Sequence, residues 1–180
     1  MDKLTVDDIL QDQRDNVSKQ SYSRGEMIDG VKIVEKHVHS AQDGTFEEII
    51  RFDDQTSDFH GFEVKQVNRS VLLPGSVKGW HLHFNQEDIW YVPPDHYLIM
   101  GLWDLRKSSP TANMSQKIIV GSGKARLVYI PRGVAHGVTN ASHKPATVFY
   151  FVNQPFNPEV PDEQRLPWDS LGADFWTPEK

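Results

Sequence analysis

His81 and His83 stand one residue apart in the stretch Gly75-Ser76-Val77-Lys78-Gly79-Trp80-His81-Leu82-His83-Phe84-Asn85-Gln86-Glu87-Asp88. Side chains alternate along a strand, so an extended segment presents both imidazoles on one face. Two carboxylates, Glu87 and Asp88, follow closely. Further on, Pro131-Arg132-Gly133-Val134-Ala135-His136 brings in a third histidine after a strand-like run at 126–130. Imidazoles and carboxylates gathered in one β cavity do one of two things. They ligate a transition metal, or they move protons near neutral pH, where histidine titrates.

Such a set needs a scaffold to hold it. The 180 residues suit one domain with a real core. Eleven prolines predict many short elements joined by turns rather than long helices. The candidate strands are 31–36, 46–52, 62–68, 78–83, 88–92, 97–105, 116–120, 126–130 and 146–153, separated by Gly, Pro, Asn and Asp. Their number and spacing predict an all-β sandwich or closed barrel. Residues 1–30 read as an N-terminal arm, where Thr5 and Asp8 form a helix-capping pair. Residues 31–155 read as the barrel, and 156–180 as an extended tail packed on it. In that tail Trp168, Phe175 and Trp176 read as packing anchors.

Composition narrows the partners. A net charge of −6 argues against nucleic acid, which demands a positive field. A few local basic residues still leave a small phosphorylated ligand open. No apolar run reaches membrane-spanning length, and the charged N-terminus has no secretory core. Without cysteine there are no disulfides and no thiolate metal sites, which fits a cytoplasmic location.

The two histidine segments fit the cupin pattern: Gly75, His81-x-His83 and Glu87 in the first, Pro131-x-Gly133-x-x-His136 and Asn140 in the second. The resemblance implies a double-stranded β-helix, or jelly-roll, barrel. Over about 30–176 the chain also resembles the dTDP-4-dehydrorhamnose 3,5-epimerase family. The likeness is carried by Gln66-Val67-Asn68-Arg69-Ser70, Lys78-Gly79-Trp80-His81, Trp103-Asp104-Leu105-Arg106-Lys107-Ser108-Ser109-Pro110-Thr111 and Ile130-Pro131-Arg132-Gly133-Val134-Ala135-His136-Gly137. Phe149-Tyr150 falls where the family has its catalytic tyrosine, and Leu166-Pro167-Trp168-Asp169 resembles its tail. Within the family the chain resembles a divergent branch with His-x-His-x-x-Gln-x-Asp and a late Pro-Asp-Glu-x-Arg-Leu-Pro-Trp-Asp.

The resemblance implies a cofactor-free, homodimeric enzyme acting beside the C4 ketone of a nucleotide-linked 4-keto-6-deoxyhexose. It implies His81 as base and Tyr150 as acid. Lys78 is then the candidate cation for the enolate, with His83 or His136 as hydrogen-bond donors. Arg69, and with it Arg132, becomes a candidate for the pyrophosphate. Gln66 and Asn68 are further substrate contacts. Several positions depart from the family pattern. Lys78 replaces an arginine, Asp88 falls near the family's active-site lysine, and Arg69 replaces a histidine. Asp43 stands where the family has an arginine before a turn. The aspartate that orients the family's histidine lies in an extension with no counterpart recognised here. Asp88 is instead expected to orient His81 or His83.

Two other readings stay open on the residues alone. A divalent transition metal on His81, His83, Glu87 and His136 would make a metal-dependent isomerase or dioxygenase. Loss of the family's lysine and aspartate would leave a non-catalytic sugar-binding cupin. Bland roles also exist for single residues. His136 could cap a turn, Tyr150 could be core, Glu87 and Asp88 could form a solvated turn, and Arg69 and Lys78 could be surface charges. Asp104-Leu105-Arg106 reads as a turn with an ion pair. His37, His39, His60, His96 and His143 have no partner pattern.

Overall fold

A computed structural model describes residues 3–19, 25–52 and 58–178. The regular structure of the described residues is mostly β. Twelve strands run in order: β1 (Lys32–Lys36), β2 (Val38–Ala41), β3 (Gly44–Glu47), β4 (Gln66–Leu72), β5 (Val77–His83), β6 (Asp88–Val92), β7 (Tyr97–Asp104), β8 (Ser115–Gly121), β9 (Ala125–Ile130), β10 (Val134–Thr139), β11 (Ala146–Val152) and β12 (Glu163–Arg165). They build two five-stranded antiparallel sheets, β1-β9-β6-β11-β4 and β12-β5-β10-β7-β8, with β2 and β3 as a separate hairpin. This is the jelly-roll arrangement that the cupin pattern implies.

The period-two pattern of these strands decides what each sheet buries. Inward residues such as Leu72, Trp90, Leu98, Met100, Val128 and Val148 meet between the sheets and form the central core. The outer face of the first sheet carries a second cluster, including Ile89, Tyr91, Leu127 and Phe151, under Phe59 and Phe62. The outer face of the second sheet carries Trp80, Leu82 and Ala135, covered by Trp176.

The tail packs on this face through Trp176 and Phe175, the anchors expected from sequence. Trp176 lies 4.6 Å from Trp80, centroid to centroid, and packs into a trough floored by glycines. A Cβ on Gly101 would come within 2.9 Å of the Trp176 ring, so only glycine fits there. Trp168 differs from expectation. Its ring is exposed, and it contributes its backbone carbonyl to the Trp176 indole N–H at 2.6 Å.

Several boundaries also differ. The predicted strand at 46–52 stops at Glu47, and the one at 62–68 begins only at Gln66. His136, read as a possible turn residue, lies inside β10. The N-terminal helix takes the form of exposed 3-10 turns at Val6–Asp8 and Gln11–Asn16. There the Asp8 carboxylate accepts from the Thr5 backbone and hydroxyl at 2.7 and 2.9 Å, as the capping pair predicted. Among the described residues, no helix is long and apolar enough to cross a membrane.

Candidate active site

At one end of the space between the sheets the apolar core gives way to polar side chains around a cavity of about 740 Å³. That volume lies in the upper part of the roughly 300–1,000 Å³ found for small-molecule sites.

The second sheet supplies one wall. In its ladder His81 of β5 pairs directly with His136 of β10. Their rings stack with centroids 5.9 Å apart. His83, two residues on, faces the same way, with its ring 5.4 Å from His136. Lys78 has the wrong parity to join them in a regular strand. The β5–β10 register slips between His136 and Val138, and this irregularity turns Lys78 into the cavity.

The tail completes this wall, and sequence reasoning missed it. Strand β12 adds to the edge of β5, pairing Glu163 with His83 and Arg165 with His81. Residues opposite each other on paired strands share a face, so both charged side chains enter the cavity. Glu163 Oε1 lies 3.2 Å from His81 Nδ1, and Arg165 Nη1 lies 3.3 Å from His81 Nε2. Thus a carboxylate does contact this histidine, delivered by a short strand where no orienting group was expected. Asp162 anchors that strand by accepting from the backbone N–H groups of Phe84, Asn85 and Gln86 at 2.8–3.3 Å. The signal available in the sequence was the alternation Glu163-x-Arg165 between prolines.

The first sheet supplies the opposite wall. Asp88 and Trp90 of β6, Tyr150 of β11 and Gln66, Asn68 and Ser70 of β4 all lie on its inner face. Tyr150 pairs with Trp90 on one side and Asn68 on the other. The Trp90 indole is the floor. It meets Tyr150 at 4.5 Å and His136 at 5.0 Å, edge to face in both cases.

The same period-two rule removes two expected residues. Arg69 lies between Asn68 and Ser70, so it points away from the cavity toward Thr147, 3.4 Å distant. Glu87 precedes Asp88 and turns to Tyr129, Asn153 and Arg132, with Arg132 Nε 3.7 Å away. Neither lines the cavity, nor does Arg132. Of the two histidines Asp88 was expected to orient, only His83 lies near it, with Gln86 between them. Asp88 faces His136, with Oδ2 and Nε2 3.6 Å apart, rather than His81.

These contacts fix protonation. A carboxylate only accepts and a guanidinium only donates. His81 therefore carries its proton on Nδ1, toward Glu163, and keeps a lone pair on Nε2. Burial first, and then the neighbouring His136 and Arg165 charges, hold its pKa down to about 3. The ring is neutral at physiological pH. His83 is also shifted down, again mainly by burial. Burial pushes Asp88 up, but the facing His136 and the Trp90 N–H outweigh it, and its carboxyl lies below the ordinary range. Burial raises Tyr150, so its phenol stays protonated.

A metal has a different candidate set from the one expected. One donor atom each from His83, Asp88 and His136 lies within 4.8 Å of the others, with all three residues buried. His81 and Glu87 are not among them. His83 Nδ1 and His136 Nε2 have no hydrogen-bond partner among the described residues. His136 Nδ1 is held by the Val134 carbonyl at 3.0 Å. Asp88 is already engaged, accepting from Gln86 at 2.7 Å and from the Trp90 indole at 2.8 Å.

A family model described as dTDP-4-dehydrorhamnose 3,5-epimerase matches residues 26–177. The chain belongs to this family of sugar epimerases. It is 37% identical over 154 residues to the spore coat polysaccharide biosynthesis protein SpsL of Bacillus subtilis, covering 85% of this chain and 99% of that protein. Among solved structures it is similar to a dTDP sugar isomerase from Desulfovibrio desulfuricans G20. That match has a TM-score of 0.71 at 25% identity, over 80% of this chain and 88% of the other. ChmJ, a 3'-monoepimerase from Streptomyces bikiniensis solved with dTDP-quinovose, has the same fold. Its TM-score is 0.73 at 23% identity, over 86% of this chain and 78% of that one. The metal-dependent isomerase or dioxygenase has no such support, and neither does the sugar-binding module without catalysis.

Proposed function

We propose that this enzyme epimerises a dTDP-linked 4-keto-6-deoxyhexose, or a closely related nucleotide sugar, at a carbon beside the ketone. The observation that carries the reading is the placement of two groups on opposed sheets. His81, neutral with an unprotonated Nε2 that faces the Arg165 guanidinium, is on one wall. Tyr150, a protonated phenol, is on the other. Inversion needs this arrangement, because the proton must leave one face of the sugar and return to the other. His81 takes the α-proton, the C–H electrons form an enolate, and the Tyr150 hydroxyl returns a proton to the opposite face. Solvent then resets both groups.

Other residues have supporting parts. Asp88 faces His136 at 3.6 Å and orients its ring. Gln66 and Asn68 offer amides to the sugar and nucleotide. Ser70 links Tyr150 to Lys78, which bonds it at 3.1 Å. We read the site as working without a metal, because Gln86 and Trp90 already satisfy much of Asp88. Stoichiometric transition metal in protein purified without chelator, lost on His83→Ala, would reverse that reading. We also propose a homodimer. Val67 and Val71 of edge strand β4 and Leu73 just beyond it are exposed, a surface that a second copy would cover.

The test is turnover of a panel of dTDP-4-keto-6-deoxyhexoses in heavy water. Deuterium at C3 or C5 with inverted configuration is expected. No incorporation on any member of the panel removes the proposal.

A further inference from the structure

We infer that Arg165, delivered by the tail strand β12, is the cation that receives the enolate oxygen, in place of Lys78. The inference rests on the epimerase reading above and assigns a catalytic residue within it.

The ketone oxygen is two bonds from the carbon that loses its proton. A group stabilising the enolate must therefore sit beside the nitrogen that takes that proton. That nitrogen is His81 Nε2, and Arg165 Nη1 lies 3.3 Å from it. The guanidinium is fixed from below by Glu163, whose Oε1 contacts Arg165 Nη2 and, at 3.2 Å, His81 Nδ1. One carboxylate thus aligns both the base and the cation. Register makes the alignment robust, since Arg165 pairs directly with His81 across the β12–β5 ladder.

Lys78 is placed for a different task. Its Nζ bonds the Ser70 hydroxyl at 3.1 Å, and Ser70 is also the hydrogen-bond partner of Tyr150. It belongs to the acid's side of the cavity. Asp88 carries the wrong sign to hold an enolate. Arg165 is then the cation in contact with the receiving nitrogen.

The contact also explains how so weak a base becomes effective. In the free protein Arg165 donates to the Nε2 lone pair and occupies it. When the ketone enters, the guanidinium has a better acceptor in the oxygen that is gaining charge, and the lone pair is released. His81 then removes the α-proton and the C–H pair becomes the new C=C bond. The carbonyl π pair moves to oxygen, where the Arg165 N–H groups bind it. The imidazolium that forms keeps its Nδ1–H on Glu163. Reprotonation from Tyr150 reverses the electron flow on the other face.

The experiment compares the parent enzyme with Arg165→Gln, Arg165→Lys and Lys78→Gln, and with Arg132→Gln as a control outside the cavity. Arg165 has a side chain 57% exposed, so its replacement leaves the fold intact, checked by the melting temperature. Arg165→Gln is expected to lose about 10²- to 10³-fold in kcat, the usual effect of removing one oxyanion donor, with KM nearly unchanged. Added guanidinium should restore part of it, and Arg165→Lys should retain part. In the free protein, imidazole ¹⁵N shifts should show the His81 pKa rising in Arg165→Gln.

A kcat near the parental value in Arg165→Gln overturns the inference. So does a pure KM effect, or a kcat loss carried by Lys78→Gln instead. A parent that exchanges no deuterium on any 4-keto sugar overturns the epimerase reading itself. That outcome is distinct from an active parent whose Arg165→Gln variant is equally active.

Discussion

Asp88 and Asp104 are both buried carboxylates at strand ends in the same fold, and their surroundings differ in kind. Asp104 is fully enclosed. It accepts from Arg106 Nε at 2.8 Å, Arg106 Nη2 at 2.9 Å, Ser109 at 2.5 Å, Thr111 at 2.7 Å and the Arg106 backbone. Burial alone would raise its carboxyl, but those donors hold it well below the ordinary range. Asp88 has two firm donors, Gln86 and Trp90, and then faces an imidazole nitrogen at 3.6 Å. That nitrogen and His83 Nδ1 have no hydrogen-bond partner among the described residues. A saturated charge stays where it is and fixes a turn. A charge beside titratable rings with spare capacity is placed to move protons.

The largest separation between the two should come from truncating Asp104. Asp104→Ala leaves Arg106 without its counter-charge in a half-buried site and should destabilise the protein by about 3–5 kcal/mol in urea titration. The activity of the folded fraction should be unchanged. Asp88→Asn should do the reverse. It keeps an acceptor for Trp90, so stability should change by about 1 kcal/mol or less. Activity should fall about 10²-fold, because the amide removes the carboxylate that faces the His136 imidazole. Equal stability losses in the two variants would erase the distinction.

A smaller effect separates the regions by pH. His81 and His83 have folded pKa values below the unfolded value of about 6.5. The unfolded chain therefore binds more protons once pH drops below that value, and stability falls as pH falls. For His81 this continues toward about pH 3. Asp104, also shifted down, contributes stability that is present above its unfolded pKa and is lost only at more acid pH. Denaturation followed between pH 7 and about 5.5, above the range where carboxylates take up protons, should show mainly the histidine loss, and His81→Asn should reduce it. An unchanged slope in that variant would mean His81 is not held neutral by the fold.

How far each region could be read from the sequence follows from its locality. The Asp104 cluster lies within Asp104–Thr111, so its turn and ion pair were legible as a motif. The strands that carry His81, His83, Asp88 and Tyr150 were legible from alternation, and their convergence from the cupin spacing. The facing of individual side chains was partly legible. Parity alone would have excluded Arg69 and Glu87 once Asn68 and Asp88 were placed inward. Lys78 could not be placed by parity, because a register slip turns it. Glu163 and Arg165 were out of reach. Their role depends on β12 pairing with β5 some eighty residues earlier, held by Asp162 on loop backbone and Trp176 in a glycine trough. Three residues flanked by prolines carry too little periodicity to announce a strand.

The most direct test of the account is deuterium uptake from heavy water into a dTDP-4-keto-6-deoxyhexose by the parent and by His81→Asn, with both shown to be folded. The parent should label the carbon beside the ketone, and the variant should be slower by about 10²- to 10⁴-fold. Labelling at the parental rate in His81→Asn would contradict the assignment of this imidazole as the base.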